Sequence, residues 1–133
     1  DAGVLLTGDL ALLHDTNGFL IQQKFQGHLT IILINNNGGG IFENLPIADF
    51  PLFEEYFATP QTVNIAQLCT AYDLEYIRID NWQQLADLIA DLPKTGIRVF
   101  ELICDRHADA AWLKSNLALF GKHNLSNPNE LGV

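Results

Sequence analysis

Leu29-Thr30-Ile31-Ile32-Leu33-Ile34, followed at once by Asn35-Asn36-Asn37-Gly38-Gly39-Gly40, decides how this chain folds. A nearly unbroken aliphatic run is what a strand needs when its sheet is covered on both faces. The Asn/Gly string can extend neither strand nor helix, so it must be a loop with unusual backbone angles. Upstream, Val4 to Thr7 reads as a second short apolar strand, closed by Gly8-Asp9. Between the two strands, Leu10 to Gln26 carries Leu10, Leu13, Leu20, Ile21 and Phe25 at roughly helical spacing and ends at Gly27, although Asn17-Gly18 weakens the middle. Strand, helix and strand make a βαβ unit.

The pattern continues downstream. Prolines 46, 51 and 60 punctuate a segment in which Leu52 to Phe57 reads as a short helix with exposed Glu54 and Glu55. Asn64 to Tyr72 reads as a helix with Ile65, Leu68 and Cys69 on one face, and Tyr76 to Ile79 as a strand. Asn81 caps a helix whose stripe is Trp82, Leu85, Leu88, Ile89 and Leu92, stopped by the Pro93 to Gly96 segment. Ile97 to Ile103 is a buried strand and Ala108 to Phe120 a closing helix, with a frayed polar tail expected from Lys122 onward. Alternating strands and helices imply an α/β fold, a doubly wound parallel sheet with helices on both faces, and ligands at the carboxyl ends of the strands.

Composition narrows the class. The 133 residues, 48% of them hydrophobic, suit a single domain with its own core, spanning residues 1–133. A net charge of -9 argues against nucleic acid and anionic membrane as partners, since both reward clustered Lys and Arg. No apolar stretch approaches the roughly 20 residues that span a bilayer, and a cytoplasmic location is expected. Cys69 and Cys104 stand isolated in apolar patterns and read as reduced, buried thiols. There is no methionine, and Asp1-Ala2-Gly3 leads almost directly into a strand, so the chain is expected to be a domain excised from a longer polypeptide.

The two strand ends carry the chemistry. Asp9 stands where a strand feeds a helix, so a diphosphate there would meet the amides of Leu10 and Ala11 and the positive end of the helix dipole. Neutralising that diphosphate calls for a hard cation such as Mg²⁺, bound by one or two carboxylates with neutral oxygens, phosphate and water. Asp9 supplies one carboxylate, and the Asn36 amide oxygen and Gly38 carbonyl supply neutral donors. A helix N-cap alone would also explain Asp9, and a simple turn would explain Asn35 to Asn37. Asn35 reads as scaffold, its side chain tying loop backbone.

Gly8-Asp9 and Asn35-Asn36, with Asp9 and Asn36 27 positions apart, resemble the signature of the thiamine diphosphate-dependent enzymes. The longer strings Gly-Asp-Leu-Ala-Leu-Leu-His-Asp-Thr-Asn-Gly (8 to 18) and Asn-Asn-Asn-Gly-Gly-Gly-Ile-Phe-Glu-Asn-Leu-Pro (35 to 46), with Asn81-Trp82-Gln83, resemble a carboligase family of menaquinone and phylloquinone biosynthesis. Leu10 departs from the glycine that the general motif favours there, in the direction of that family. The resemblance implies the C-terminal, diphosphate-binding domain of the thiamine diphosphate-binding fold. It makes Asp9, Asn36 and the Gly38 carbonyl ligands of Mg²⁺, with Mn²⁺ as an alternative metal. Gly8, Leu10, Ala11, Gly39, Gly40 and Ile41 would line the diphosphate, and Ile41, Phe42 and Leu45 an apolar substrate pocket. The implied reaction decarboxylates 2-oxoglutarate and adds the succinyl carbanion to isochorismate. No catalytic residue is expected in this chain, because the activating Glu belongs to a pyrimidine-binding domain, usually of a partner chain. A homodimer or homotetramer follows, cytoplasmic or, in a photosynthetic eukaryote, in a plastid. Two other readings stay open: an acetolactate synthase or 2-oxoacid decarboxylase relative, and a noncatalytic nucleotide-binding or assembly module. The second lacks a Gly-x-Gly-x-x-Gly after any strand.

The other polar residues read blandly. His14 and Asp15 are neighbours on a helix and point apart, so they form no dyad. His28, His107 and His123 lack metal-site spacing and read as solvent-facing. Asn124-Leu125-Ser126 matches a glycosylation sequon by chance.

Overall fold

The aliphatic runs do form the centre of a sheet. A computed structural model describes residues 1–126 and contains strands β1 (Ala2–Gly8), β2 (His28–Asn35), β3 (Glu75–Arg78) and β4 (Gly96–Ile103). All pairings are parallel, in the order β1-β2-β4-β3. Gly8 lies in register with Ile34, and Asn35 with Ile103, so Asp9, the Asn/Gly loop and the segment after β4 open on one edge.

Helices cover both faces. On one, Leu12 of α1 (Asp9–His14) and Ile65 and Cys69 of α2 (Ile65–Ala71) pack with Phe19 against Ile31, Leu33, Ile97 and Val99. On the other, Leu85 of α3 (Trp82–Ala90) packs with Ile79 against Phe100 and Leu102. Each such side chain removed from water contributes about 1.5–3 kcal/mol. β1 has one strand neighbour, and its Val4, Leu5 and Leu6 remain exposed. The cap predicted at Asn81 forms, its Oδ1 accepting the Gln84 amide at 2.9 Å, and Asn64 Oδ1 caps α2 in the same way by accepting the Gln67 amide at 2.9 Å.

Four expectations are corrected. The helix predicted from Leu10 to Gln26 breaks at Asp15, whose angles (φ -109°, ψ 17°) are not helical, and continues as a 3₁₀ segment, Thr16–Lys24. Leu52 to Phe57 contributes to a π-helical turn, Glu54–Ala58, stopped by left-handed Thr59 at φ 44°. The closing helix α4 runs Arg106–Ser126, past the expected fraying point at Lys122; the rest of that tail lies outside the described residues.

The fourth correction is His28, which is buried rather than solvent-facing. Its Nδ1 sits 3.2 Å from the Thr95 carbonyl, which can only accept, so Nδ1 carries the proton. The Thr30 hydroxyl then donates to Nε2 (2.7 Å) while accepting from Arg98 Nε (2.8 Å). His107 is exposed as expected; the His123 side chain and the sequon side chains lie outside the described residues.

Candidate metal and diphosphate site

Asp9 begins α1 immediately beyond β1, and only 4% of it is exposed. Its Oδ1 accepts the Leu10 amide (2.9 Å) and its Oδ2 the Gly38 amide (2.7 Å), which ties the first strand end to the loop after β2. No Lys, Arg or His pairs with this carboxylate among the described residues. A buried carboxylate without a cation is expensive, and each of its oxygens keeps a lone pair beyond the bond described. A divalent cation satisfies both conditions.

The donors expected beside Asp9 are placed unequally. Asn36 is half-buried, its side chain has no hydrogen-bond partner among the described residues, and it borders a cleft of about 370 Å³ with Asn37, Cys104, Asp105, Arg106 and His107. Gly38 is joined directly to Asp9, but its carbonyl accepts the Gly40 amide at 2.9 Å. The Leu10 amide is engaged by the Asp9 side chain and the Gly39 amide by Ala58 O at 2.7 Å, so the Leu10, Gly39 and Gly40 amides are already taken. The loop glycines are required by packing as well. A Cβ on Gly38 (φ +126°) would lie 2.2 Å from the Ala58 carbonyl oxygen, and one on Gly39 2.5 Å from that of Phe57. Gly8 differs. A Cβ there would meet nothing within 4 Å, and its backbone (φ -91°, ψ 166°) is ordinary extended chain, so its bareness leaves open space beside Asp9.

Leu10 lines a cavity of about 220 Å³ with Leu13, His14, Thr59 and Gln61, and Ala11 an apolar one of about 330 Å³ with Leu5, Phe19 and Ile31 among others. Ile41 is 72% exposed and Leu45 is also exposed, on the 3₁₀ segment Gly40–Asn44 and just after it. Phe42 instead turns inward, edge-on to Phe57 at 5.9 Å between centroids.

Asn35 is scaffold, as read from the sequence. Its Oδ1 accepts the Asn37 amide (3.2 Å), and its Nδ2 donates to Oε1 of buried Glu101 (2.6 Å). Tyr76 donates to the other Glu101 oxygen at 2.5 Å; burial first, then that bond, pushes the Tyr76 phenol up.

Sequence reasoning missed Glu101 and Arg106. Arg106, at the start of α4 and 7% exposed, donates through Nε to Glu43 Oε1 (2.9 Å), through Nη1 to the Asn37 carbonyl (2.8 Å) and through Nη2 to Glu54. Burial lowers the Arg106 pKa, but hydrogen bonds and charge from Glu54 and Glu43 outweigh it and hold the guanidinium above its ordinary value. Glu43, Glu54 and His107 also have metal-site spacing, but Arg106 bonds to both carboxylates, which makes the cluster an ion-pair network. The sequence shows only an arginine three positions past the end of β4 and an acid three residues after the glycines, neither of which marks its own burial.

Asp105 caps α4, its Oδ1 accepting the His107 and Ala108 amides; these bonds, Ala108's first, hold its carboxyl below the usual range. Cys69 and Cys104 are free thiols, buried and half-buried. Burial, then the charge of Asp109, raises the Cys104 pKa, so it is no ready nucleophile.

No family model matches the chain. Among curated proteins it is 64% identical over 120 residues to the 2-succinyl-5-enolpyruvyl-6-hydroxy-3-cyclohexene-1-carboxylate synthase of Gloeothece citriformis, covering 90% of this chain and 21% of that protein. The enzyme of the same name from Crocosphaera subtropica is 65% identical over 117 residues (87% and 20%), and that from Synechococcus elongatus 54% over 116 (86% and 20%). The chain thus spans about a fifth of the length of these relatives. Identity of this order across nearly nine-tenths of the chain, over a parallel α/β sheet with the expected strand ends, makes the chain similar to one part of the 2-succinyl-5-enolpyruvyl-6-hydroxy-3-cyclohexene-1-carboxylate synthases.

Proposed function

We propose that this chain is the domain holding the metal and diphosphate end of thiamine diphosphate in a carboligase that decarboxylates 2-oxoglutarate and adds the succinyl unit to isochorismate, in menaquinone or phylloquinone biosynthesis. The observation that carries the reading is Asp9: a buried carboxylate with no cationic partner among the described residues, at a strand's carboxyl end and bonded to the loop after the next strand. Asp9, Asn36 and the Gly38 carbonyl would hold Mg²⁺, or Mn²⁺ in its place. Gly8 leaves room for the diphosphate, with Leu10, Ala11, Gly39, Gly40 and Ile41 around it.

When bound, the cofactor would supply carbanion chemistry for decarboxylating a 2-oxo acid. What this chain adds is position and polarity. Ile41 and Leu45 present apolar surface, with Phe42 behind them on Phe57, and a water-poor wall favours loss of CO₂ because charge disperses as the bond breaks. The activating carboxylate is assigned to a pyrimidine-binding domain of a partner chain, in a homodimer or homotetramer. The protein is read as cytoplasmic or plastid; among the described residues no helix is long and apolar enough to cross a membrane.

The test uses the full-length protein. Calorimetry should show metal-dependent thiamine diphosphate binding, lost in Asp9→Ala. 2-Oxoglutarate should be consumed productively only with isochorismate present. Pyruvate turnover would move the assignment to the acetolactate synthase or decarboxylase relatives, and preference for a plain nucleotide would make the Asp/Asn spacing coincidental.

A further inference from the structure

The geometry points to Arg106 as a positioning residue for the metal site, acting on Asp9 through one peptide group. The carbonyl of Asn37 accepts from Arg106 Nη1 at 2.8 Å, and the amide across the same peptide bond, that of Gly38, donates to Asp9 Oδ2 at 2.7 Å. In a planar trans peptide these groups point in opposite directions, so fixing one end fixes the other. The inference rests on the metal-site reading of Asp9.

Three features give the guanidinium this role. It is buried and rigidly forked, and its nitrogens reach three separate segments: Asn37 in the loop, Glu43 in the 3₁₀ segment and Glu54 in the π-helical turn. The peptide it holds is conformationally demanding, since Asn37 has φ 60° and Gly38 φ +126°, both in the left-handed half of the map. Asn37 is also held from the other side, its own amide donating to Asn35 Oδ1. Without Arg106 the Asn37 carbonyl loses its described partner. The Gly38 amide can then rotate away from Asp9 and leave the carboxylate held by the Leu10 amide alone among its described bonds. Glu43 and Glu54 serve as the counter-charges that hold Arg106 in place.

Arg106→Lys keeps the charge beside Glu43 and Glu54 but cannot span three acceptors. A second variant, Arg106→Gln with Glu43→Gln, removes the cation without leaving a buried carboxylate unpaired. Both are made in the full chain. The first readout is the Mn²⁺ concentration giving half-saturation in the presence of thiamine diphosphate, measured by calorimetry. Loss of an outer partner of a metal ligand weakens metal binding about 10–100-fold, so a rise of at least tenfold is expected in either folded variant. The second readout needs no cofactor: hydrogen exchange across Asn36 to Gly40 in the unloaded protein should quicken about tenfold, while exchange in β2 and β4 stays as in wild type. Mn²⁺ half-saturation within twofold of wild type, in a folded variant with unchanged loop exchange, overturns the inference and leaves the metal site standing. If wild type itself binds no Mn²⁺ with thiamine diphosphate, the metal-site reading fails instead. The exchange measurement then still decides whether Arg106 holds the loop.

Discussion

Gly8→Ala separates a structural role for the β1 end from a ligand-binding one. The new methyl group would find no atom within 4 Å, and the backbone at φ -91°, ψ 166° is comfortable for alanine. Replacing glycine at a compatible position stabilises a protein by about 0.4–1 kcal/mol through the unfolded chain. Against this, Gly8 is the N-cap of α1, where alanine is worse than glycine by roughly 0.5–1 kcal/mol. The two terms nearly cancel, so stability should stay within about 1 kcal/mol of wild type by urea denaturation of the unloaded full-length protein. The ligand reading places the diphosphate in the space that the methyl group would enter. Forcing a methyl into a packed contact costs about 1–3 kcal/mol, or roughly 5–150-fold in the dissociation constant of thiamine diphosphate at saturating Mg²⁺. Affinity within twofold of wild type would refute Gly8 as a diphosphate contact. A stability loss above about 2 kcal/mol would refute the packing argument that precedes it.

Gly38→Ala should do the opposite, because its Cβ would meet the Ala58 carbonyl at 2.2 Å from a φ of +126°. Backbone strain of about 1–3 kcal/mol, with loss of the Gly39 to Ala58 and Gly38 to Asp9 bonds, predicts a drop of about 3–6 kcal/mol, read as a lower denaturant midpoint. Cys69 gives a pH dependence: burial, then the charge of Glu101, pushes its thiol from 9.0 up to about 11. A raised folded value means stability fully present below pH 9 and lost as pH climbs through about 11. Wild type should therefore lose about 1 kcal/mol between pH 9 and 10, and Cys69→Ala should flatten that slope in pH-dependent urea melts. Asn81→Ala removes the acceptor for the Gln84 amide at the start of α3 and should cost about 1 kcal/mol, measured by thermal melting.

The strands were legible because burial on two faces imposes an aliphatic run that needs no partner to recognise, as in Leu29 to Ile34 and Ile97 to Ile103. Helix identity after β1 was not. Leu10 to Gln26 keeps an apolar rhythm, but within Thr16–Lys24 the large apolar side chains are the consecutive Phe19, Leu20 and Ile21, which cannot tell a 3.6-residue period from a 3.0-residue one and so hide the switch at Asp15. Asp9 was legible from a strand-to-helix junction, and its contact with Gly38 follows from the parallel pairing of β1 with β2. Arg106 was not, because nothing local distinguishes it from a surface arginine. Its burial depends on Asn37, Glu43 and Glu54, which stand 69, 63 and 52 positions away. His28 escaped for the same reason, its environment being set by Thr95 and by the partner that Thr30 finds in Arg98.

How the loop spends its hydrogen bonds bears on how a phosphate would be held. A glycine-rich turn often binds phosphate by aiming free amides at it. Here the Leu10, Gly38, Gly39 and Gly40 amides already bond to Asp9, Asp9, Ala58 and Gly38, and α1 is only six residues long, which limits its dipole. Gly38 and Gly39 serve contact with the π-helical turn, and two of the four amides serve the Asp9 carboxylate. The loop is therefore organised around an anion that belongs to the protein. A second anion, the diphosphate, would be repelled by Asp9 unless a cation stood between them. On the proposed reading the metal would be the attachment point for the diphosphate, and the backbone's part would be to fix the carboxylate that binds it.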